Sequence, residues 1–514
     1  MRATTVGRYG LLAVGLCTLS VSFLPTEIVA RSVWLLPSGD GGGRPQISGP
    51  TGTGQFIVLS ADKTHLVNTF TNQPVFISGD TAQNLSVQLC SDSDVEAYLS
   101  NRAAKHMNVI WVFLIDTIQH DGKGDVQNDC SGSNPWNGGA DFTGMSSATA
   151  YWAHVDFVLQ RAAAYGITVL AGTAFTGSFD QCTSRYYSSM AASSDDTTKA
   201  YGAFLGNRYK SYPNIIWLMG GDANPALCGS GVQRKLTDIA EGIRSADQVH
   251  LMAIEDTNNV WGEASATYWS PHTLTTSNPN GWLTLGTIYP KGIPSSTFST
   301  QIAQILSQNA IENEAAAFVP YFSIEDPYEY EPYSAPYSDR QLRQEGYTEV
   351  LSGAYLGRLF GSSGVWPFGA SCCQHGATWQ ANMDNPASFD QQRLGQLFRS
   401  REHWKMVPDS SHRAVTAGYG AGATLTVTSR ASDGQTIIAY IPNGNATTIT
   451  VDMSRITSAS HQALCWWFNP SSGAASLIGT FANSGMKNFT PPDANDWVLV
   501  IDDVSANLPA PGDQ

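Results

Sequence analysis

The stretch NIIWLMGGD, residues 214–222, decides the fold class of this 514-residue chain. All five residues from Ile215 to Met219 are large and apolar, which is typical of a strand covered on both faces in a parallel sheet. Two glycines then precede Asp222, and glycine permits backbone conformations and close approaches that other residues do not. The pattern predicts a buried strand that ends by presenting one carboxylate on a bare turn.

Further apolar runs of this kind alternate with amphipathic helical stretches between about residue 56 and residue 370. They are PVFISGD (74–80), NVIWVFLID (108–116), ITVLAGT (167–173), VHLMAIED (249–256), LTLGTIYP (283–290), FVPYFSIED (318–326) and GVWPFG (364–369). Eight strand–helix units predict an α/β fold, a (β/α)8 TIM barrel. A doubly wound open sheet is the alternative fold. It usually has fewer strands and often a phosphate loop, and the chain has no G-x-G-x-x-G or Walker motif.

The sequence patterns of the two ends of the chain differ from the alternating strands and helices of this central part. Residues 1–30 predict a signal peptide, with Arg2 and Arg8 before an apolar segment too short for a comfortable membrane span. Residues 31–54 read as a Gly/Pro-rich linker, and the barrel is predicted over 55–410. Short β-rich runs separated by turn residues then predict a small all-β sandwich domain over 411–505.

Composition and charge narrow the class of partner. The chain is 42% hydrophobic and 14% charged, so we expect a large core rather than disorder. A net charge of −15 is a poor match for nucleic acid, which needs a basic footprint. After signal removal we expect a secreted protein with no membrane segment. We also expect no cofactor and no metal, since the chain lacks a C-x-x-C pair.

Seven cysteines remain after the predicted signal peptide, and in an oxidising compartment several should pair. Cys182 and Cys228 follow neighbouring predicted strands, so we expect them to form a bridge. Cys90 follows the first strand and is expected to pair with Cys372 or Cys373, which follow the eighth. An odd count leaves at least one free thiol, for which we expect Cys465.

Carboxylates follow most of the predicted strands, at the barrel face where active sites of this fold lie. They are Asp80, Asp116, Asp222, Glu255, Asp256, Glu325 and Asp326. Asp222 and Glu325 end the fourth and seventh strands, on opposite sides of the mouth. Two carboxylates facing each other in this way are what glycoside hydrolysis requires. The alternative is that either acid caps a helix or pairs with Arg340 or Arg343.

Several motifs resemble the apiosidase-like glycoside hydrolases. They are QPVFISGDTA (73–82), NRYKSYPNIIWLMGGD (207–222), IEDPYEYE (324–331), SGAYLGRLFG (352–361) and HWKMVPD (403–409). Nearer the C-terminus, AYIPNG (439–444), WWFNPSSG (466–473) and FTPPDANDWVLVIDD (489–503) are similar to a small domain of collagen-binding type. The resemblance implies a retaining barrel glycosidase with Asp222 as general acid/base and Glu325 as nucleophile. The chain departs from the family pattern at Gln83, where we expect an aromatic residue.

These observations together predict a secreted glycoside hydrolase that acts on glycosidic bonds in the side chains of plant or microbial polysaccharide. A general acid must stay protonated near neutral pH, so we expect burial or the charge of Glu325 to raise the pKa of Asp222. Expected substrate contacts are Asp80, Asp116, Glu255, Asp256, Tyr289, Tyr328, Glu329 and Trp366. The alternative function is a non-catalytic carbohydrate- or matrix-binding protein on a degenerate barrel.

Overall fold

The structure is a computed structural model. It describes residues 56–116, 128–176, 185–223, 230–256, 264–291, 297–315, 318–330, 337–369, 378–444 and 447–513. The predicted signal peptide and linker lie outside these residues, as do Cys182, Cys228, Cys372 and Cys373. Within the described ranges, no helix is long and apolar enough to cross a membrane.

Strands of the first 360 residues build a small antiparallel sheet and then the predicted parallel sheet. The small sheet contains β1 (Ile57–Leu59), β2 (Leu66–Asn68) and β3 (Gln73–Val75). The parallel strands are β4 (Ile77–Thr81), β5 (Val109–Phe113), β6 (Thr168–Gly172), β7 (Ile215–Ala223), β8 (Met252–Asp256), β9 (Gly286–Ile288), β10 (Tyr321–Ser323) and β11 (Gly357–Phe360).

Helices follow most of these strands and cover the outside of the sheet. They are α1 (Leu85–Gln88), α2 (Asp92–Ala104), α3 (Thr149–Ala164), α4 (Arg185–Ala192), α5 (Asp195–Tyr209), α6 (Ser230–Ala246), α7 (Ala266–Trp269), α8 (Phe298–Glu314), α9 (Asp339–Leu351), α10 (Trp379–Asn382) and α11 (Pro386–Arg399). The entry to α9 shows why such a helix begins where it does. Ser338 and Gln341 form a capping box that satisfies its first backbone donors.

The eight parallel strands close into a barrel, which confirms the predicted fold. Their order is β8-β7-β6-β5-β4-β11-β10-β9. The seam between β8 and β9 is joined by the Leu285 backbone N–H, which donates to the Met252 carbonyl at 3.0 Å. Consecutive residues of a strand point to opposite faces of the sheet, so one packs inside the barrel and the next packs against the helices. In β5, Trp111 packs in the barrel interior and Ile110 packs beneath the helices.

The eighth strand is not the run predicted at residues 364–369. The barrel instead uses β11, where Gly357 pairs with Ile77 of β4, and residues 364–369 form turns after it. The run GRLF was overlooked because it contains Arg358. Its charge is neutralised in the fold by buried ion pairs to Asp326 and Glu349.

The C-terminal strands form two antiparallel sheets. The six-stranded sheet has the order β12 (Met406–Pro408), β14 (Val427–Ala431), β15 (Thr436–Ile441), β20 (Trp497–Asp503), β17 (Gln462–Phe468) and β18 (Ala475–Ala482). The smaller sheet is β13 (Val415–Ala417), β16 (Ile449–Asp452) and β19 (Met486–Phe489). The first of these strands, β12, precedes residue 411, so the antiparallel structure begins earlier than the predicted boundary.

The cysteines show one correct and one wrong expectation. Cys90 forms a disulfide with Cys130, not with Cys372 or Cys373. The chain after β5 returns to α1, where the Cys130 backbone N–H donates to the Val87 carbonyl at 2.8 Å. The segment after β5 therefore places Cys130 beside Cys90, a pairing that the order of the strands did not predict. Cys465 is free and buried, as predicted.

Candidate active site

A bulge at the end of β7 carries Asp222 to the barrel mouth. Gly220 pairs with Glu255 of β8, and the next paired residue of β7 is Ala223, opposite Asp256. Gly221 and the half-buried Asp222 are therefore extra residues between the two pairs. Bulges of this kind re-aim a side chain at the rim of a barrel.

Glycine is required at this bulge by both conformation and space. The φ angles are 82° at Gly220, 135° at Gly221 and 50° at Asp222. A Cβ on Gly221 would lie 2.6 Å from the Phe113 ring and 3.1 Å from the Phe175 ring. Asp222 itself adopts the left-handed conformation that few non-glycine residues adopt and that often marks a functional site.

Three carboxylates meet at this point. One oxygen each from Asp222, Glu255 and Glu325 lie within 4.8 Å of one another. Glu255 belongs to β8, and Glu325 follows β10 by two residues. Glu255 is 1% exposed and Glu325 is 3% exposed, so Asp222 is the most accessible of the three. The structure thus brings together the two acids that the sequence predicted as a pair and adds Glu255 to them.

Polar side chains fix the orientation of the outer two carboxylates. The Tyr289 hydroxyl donates to Asp222 Oδ1 at 2.7 Å. Lys291 Nζ donates to Glu325 Oε1 at 2.6 Å, and the same ammonium lies 4.5 Å from the centre of the Tyr328 ring. Tyr289 and Tyr328, both predicted as substrate contacts, therefore line the carboxylate cluster.

Two contributors to the cluster were not foreseen as such. Lys291 follows β9 by three residues, in a loop with no periodicity to mark it. Gln83 Nε2 donates to the Tyr328 hydroxyl at 3.0 Å. The departure from the family pattern at Gln83 was the available signal, since it placed a polar group where an aromatic ring is expected.

Burial dominates the electrostatics of the cluster. Burial raises the pKa of Glu255 well above its ordinary value, and the charges of Glu325 and Asp222 raise it further. The pKa values of Tyr289 and Tyr328 are also well above the usual range, first because of burial and then because of nearby carboxylates. Both phenols are therefore neutral hydrogen-bond donors at physiological pH.

The donor set does not fit a resident metal ion. Carboxylate oxygens are ligands for hard cations, and Ca²⁺ combines them with carbonyl and water oxygens to a total of six to eight. Here the ammonium of Lys291 already pairs with Glu325, so a bound cation would meet a like charge beside its ligands. The cluster fits acid–base chemistry better than metal binding.

Two predicted substrate contacts point away from the mouth, so those predictions were wrong. Asp80 is fully buried, and Arg102 Nε and the Tyr98 hydroxyl donate to its Oδ2 at 2.5 and 2.6 Å. Asp256 is equally buried and accepts from Trp269 Nε1 at 2.8 Å. Adjacent residues of a strand face opposite sides. A position at a strand end therefore does not ensure that the side chain faces the barrel interior.

The remaining predicted contacts are buried around the rim. Glu329 accepts from Ser362 Oγ at 2.9 Å and from the Ala387 backbone N–H at 3.3 Å, in the first turn of α11. Burial raises the pKa of Glu329 to about 7. Asp116 and Trp366 are both 7% exposed. For these three residues, a role in substrate binding stays a prediction.

Neither arginine that could have neutralised the catalytic pair is shown beside it. Arg343 forms ion pairs with Asp390 and Asp496, and Arg340 donates to the Ala494 carbonyl. The cation that pairs with Glu325 is Lys291. The alternative in which these arginines hold the acids in purely structural ion pairs is therefore not supported.

A barrel with two carboxylates close together at its mouth has the arrangement that glycoside hydrolases use. Residues 60–405 match the family described as "Apiosidase-like, catalytic domain". This match covers more than half of the chain, which therefore belongs to the apiosidase-like family. Residues 407–502 match a second family, described as "Putative collagen-binding domain of a collagenase".

Solved structures share the whole architecture at low sequence identity. A family 5 glycoside hydrolase from Bacteroides vulgatus superimposes with a TM-score of 0.73 at 21% identity, covering 88% of this chain and 94% of its own. A second structure, named only as a glycoside hydrolase, gives a TM-score of 0.72 at 21% identity, covering 88% and 97%. At this identity the likeness shows the fold. No protein of curated function matches the chain.

Proposed function

We propose that this protein is a retaining glycoside hydrolase in which Asp222 is the general acid/base and Glu325 is the nucleophile. The observation that carries the proposal is the approach of their carboxylate oxygens to within 4.8 Å. A retaining enzyme needs its two carboxyl groups about 5–5.5 Å apart, whereas an inverting enzyme leaves about 6.5–9.5 Å for a water molecule. Oxygens this close are compatible with the retaining arrangement, which supports direct attack of one carboxylate on the sugar.

The geometry suits a two-step reaction. In the first step the Asp222 carboxyl protonates the leaving oxygen while Glu325 attacks the anomeric carbon and forms a glycosyl ester. In the second step the Asp222 carboxylate takes a proton from water, which hydrolyses that ester. Lys291 holds Glu325 and Tyr289 holds Asp222, so both reacting groups are oriented before substrate arrives.

The finer parts of the proposal concern substrate and location. Membership of the apiosidase-like family supports action on side chains of plant or microbial polysaccharide. Secretion is supported by the signal-like pattern of residues 1–30 and by the Cys90–Cys130 disulfide, because such bonds persist in oxidising compartments. The buried ion pair and the oriented carboxylates favour an enzyme over a non-catalytic binding protein.

Two substitutions test the roles. Asp222→Asn and Glu325→Gln should each lower kcat/KM on an activated aryl glycoside by at least about 100-fold, since each removes a group that takes part in bond making or proton transfer. Glu241→Gln is the matched control, because this exposed carboxylate pairs with Lys199 on the outer helices. Losses below about tenfold, or roughly 1.4 kcal/mol of barrier, would show that the role is wrong.

Two further measurements test retention directly. A fluorinated glycoside should form a stable ester that mass spectrometry locates on Glu325. Proton NMR of the first product, recorded before mutarotation, should show the substrate's anomeric configuration. An inverted product would make Glu325 a base that acts through water and would remove its role as nucleophile.

A further inference from the structure

Glu255 is the carboxylate of the cluster that the proposed mechanism does not use. Its side chain is buried, and its Oε2 has no hydrogen-bond donor in the part of the chain that the structure describes. The Asp222 backbone N–H donates to the same carboxyl group. The titratable and charged groups that face it are Asp222, Tyr289, Lys291, Glu325 and Tyr328.

Charge balance restricts how these groups can be ionised together. Three carboxylates lie within 4.8 Å of one another, and Lys291 is the cation shown in contact with them. An unpaired charge is very costly to bury, so the cluster approaches neutrality by binding protons. Lys291 Nζ donates to Glu325 Oε1, so this ammonium compensates one of the three carboxylates. Glu255 is 1% exposed and forms no ion pair within the described residues, so its charge is the costliest of the three to bury.

We propose that Glu255 is a positioning residue that acts as a neutral carboxylic acid and donates its proton in a hydrogen bond to Glu325. The proposal rests on the role of Glu325 as nucleophile given above. Glu325 then receives one hydrogen bond from Glu255 and one from Lys291, while the Glu255 carbonyl oxygen accepts from the Asp222 backbone N–H. The Glu255 proton stays in place through both steps, and only the Asp222 proton is exchanged with substrate and water.

Other features of the site agree with a neutral Glu255. Protonation would let the buried Oε2, which has no donor among the described residues, donate to another carboxylate of the cluster, and this would remove a desolvation cost. Burial and the neighbouring carboxylates also raise the pKa of Glu255 well above its ordinary value. A neutral acid that accepts one hydrogen bond and donates another has the pattern of a primary amide.

That pattern gives a kinetic test with two variants. Glu255→Met keeps a side chain of similar length but has no donor, so kcat should fall at least about tenfold with little change in KM. The acid limb of the pH profile should also move to higher pH, because Glu325 loses a hydrogen bond to its charged form. Glu255→Gln restores both hydrogen bonds without a charge. It should recover most of the lost kcat and keep the acid limb at the wild-type position.

The opposite pH shift would overturn the proposal. If Glu255 were ionised in the wild type, Glu255→Gln would remove a negative charge beside Glu325, and the acid limb would move to lower pH. A loss in Glu255→Gln as large as that in Glu325→Gln would also overturn it, because the charge rather than the donor would then be essential. Thermal unfolding of each variant shows whether the protein compared is folded.

A measurement without substrate separates this proposal from the proposed function. An infrared difference spectrum of wild type minus Glu255→Gln, recorded at pH 7 in deuterated buffer, should contain the carbonyl stretch of a protonated carboxylic acid. The corresponding spectrum for Glu241→Gln, at an exposed carboxylate, should contain carboxylate bands and the amide bands of the new glutamine, but no band of a protonated acid. Absence of the acid band from the Glu255 spectrum would overturn the proposal whether or not the protein hydrolyses a glycoside. Its presence together with active Asp222→Asn protein would leave Glu255 neutral and refute the mechanism instead.

Discussion

Substitution of Gly221 by alanine tests whether the bulge of β7 places the catalytic acid. The φ angle of Gly221 is 135°, a conformation that side chains of L-residues rarely adopt. Holding alanine there costs about 1–3 kcal/mol. The new Cβ would also lie 2.6 Å from the Phe113 ring and 3.1 Å from the Phe175 ring. Overpacking of this kind costs about 1–3 kcal/mol in a filled core.

The two costs add to about 2–6 kcal/mol. The variant either keeps the bulge and loses that much unfolding free energy, or relieves the strain by flattening the bulge. Flattening of the bulge moves Asp222 from its place beside Glu255 and Glu325, so we expect a loss of more than about tenfold in kcat/KM. A misplacement of about 1 Å in a catalytic group is enough for a larger effect. Denaturant unfolding followed by fluorescence measures the first quantity, and an aryl glycoside assay measures the second.

Gly166→Ala is the matched control. Gly166 follows α3 at a φ of 71°, and a Cβ there would meet nothing within 4 Å. This variant should lose only the dihedral cost of about 1–2 kcal/mol and keep full activity. If Gly221→Ala were as stable as Gly166→Ala and as active as wild type, the bulge would not be what positions the acid.

Three further changes probe buried charges. Lys291→Met leaves Glu325, the proposed nucleophile, buried without its cation. We expect kcat/KM to fall more than about tenfold, the acid limb of the pH profile to move to higher pH, and about 3–5 kcal/mol of unfolding free energy to be lost. Asp80→Asn leaves Arg102 buried without its partner and should cost stability of similar size, yet the acid limb should stay where it is, since Asp80 faces α2. Burial raises the pKa of Glu312 to about 7, so its contribution to stability is complete below about pH 4.5 and is lost as pH rises through 7, on the order of 3 kcal/mol in total. Glu312→Gln should abolish that slope in unfolding free energy, whereas Glu314→Gln, at an exposed carboxylate of the same helix, should keep it.

The barrel could be predicted from the sequence because burial on both faces leaves a direct signal. Runs such as NIIWLMGGD are apolar at consecutive positions, and short helical stretches separate them. The eighth strand was missed because it carries Arg358, whose buried partners lie on other elements of the fold. A compensated charge cannot be distinguished from a surface charge until the fold brings its partners together.

Only part of the site could be predicted from the sequence, because a strand end gives the position of a residue but not the direction of its side chain. Strand ends identified Asp222 and Glu325, because the fold gathers those ends at one face. The same rule was wrong for Asp256, since it does not tell which of two adjacent residues faces inward. Glu255 faces the cluster and Asp256 faces Trp269. Lys291 lies in a loop, where the sequence has no periodicity that shows which way a side chain points.

The six-stranded sheet shares a hydrophobic core with the barrel, and this limits how the two parts can evolve separately. Phe76 and Tyr347 of the barrel pack in one cluster with Tyr440 and Val498 of the sheet, and the two tyrosine rings stack 4.7 Å apart. Two buried ion pairs, Arg343–Asp496 and Arg401–Asp502, also join them. Exchange of the C-terminal part by recombination would therefore strip apolar and charged groups of the catalytic barrel of their partners. The sheet thus contributes to the stability of the barrel whether or not it binds a ligand.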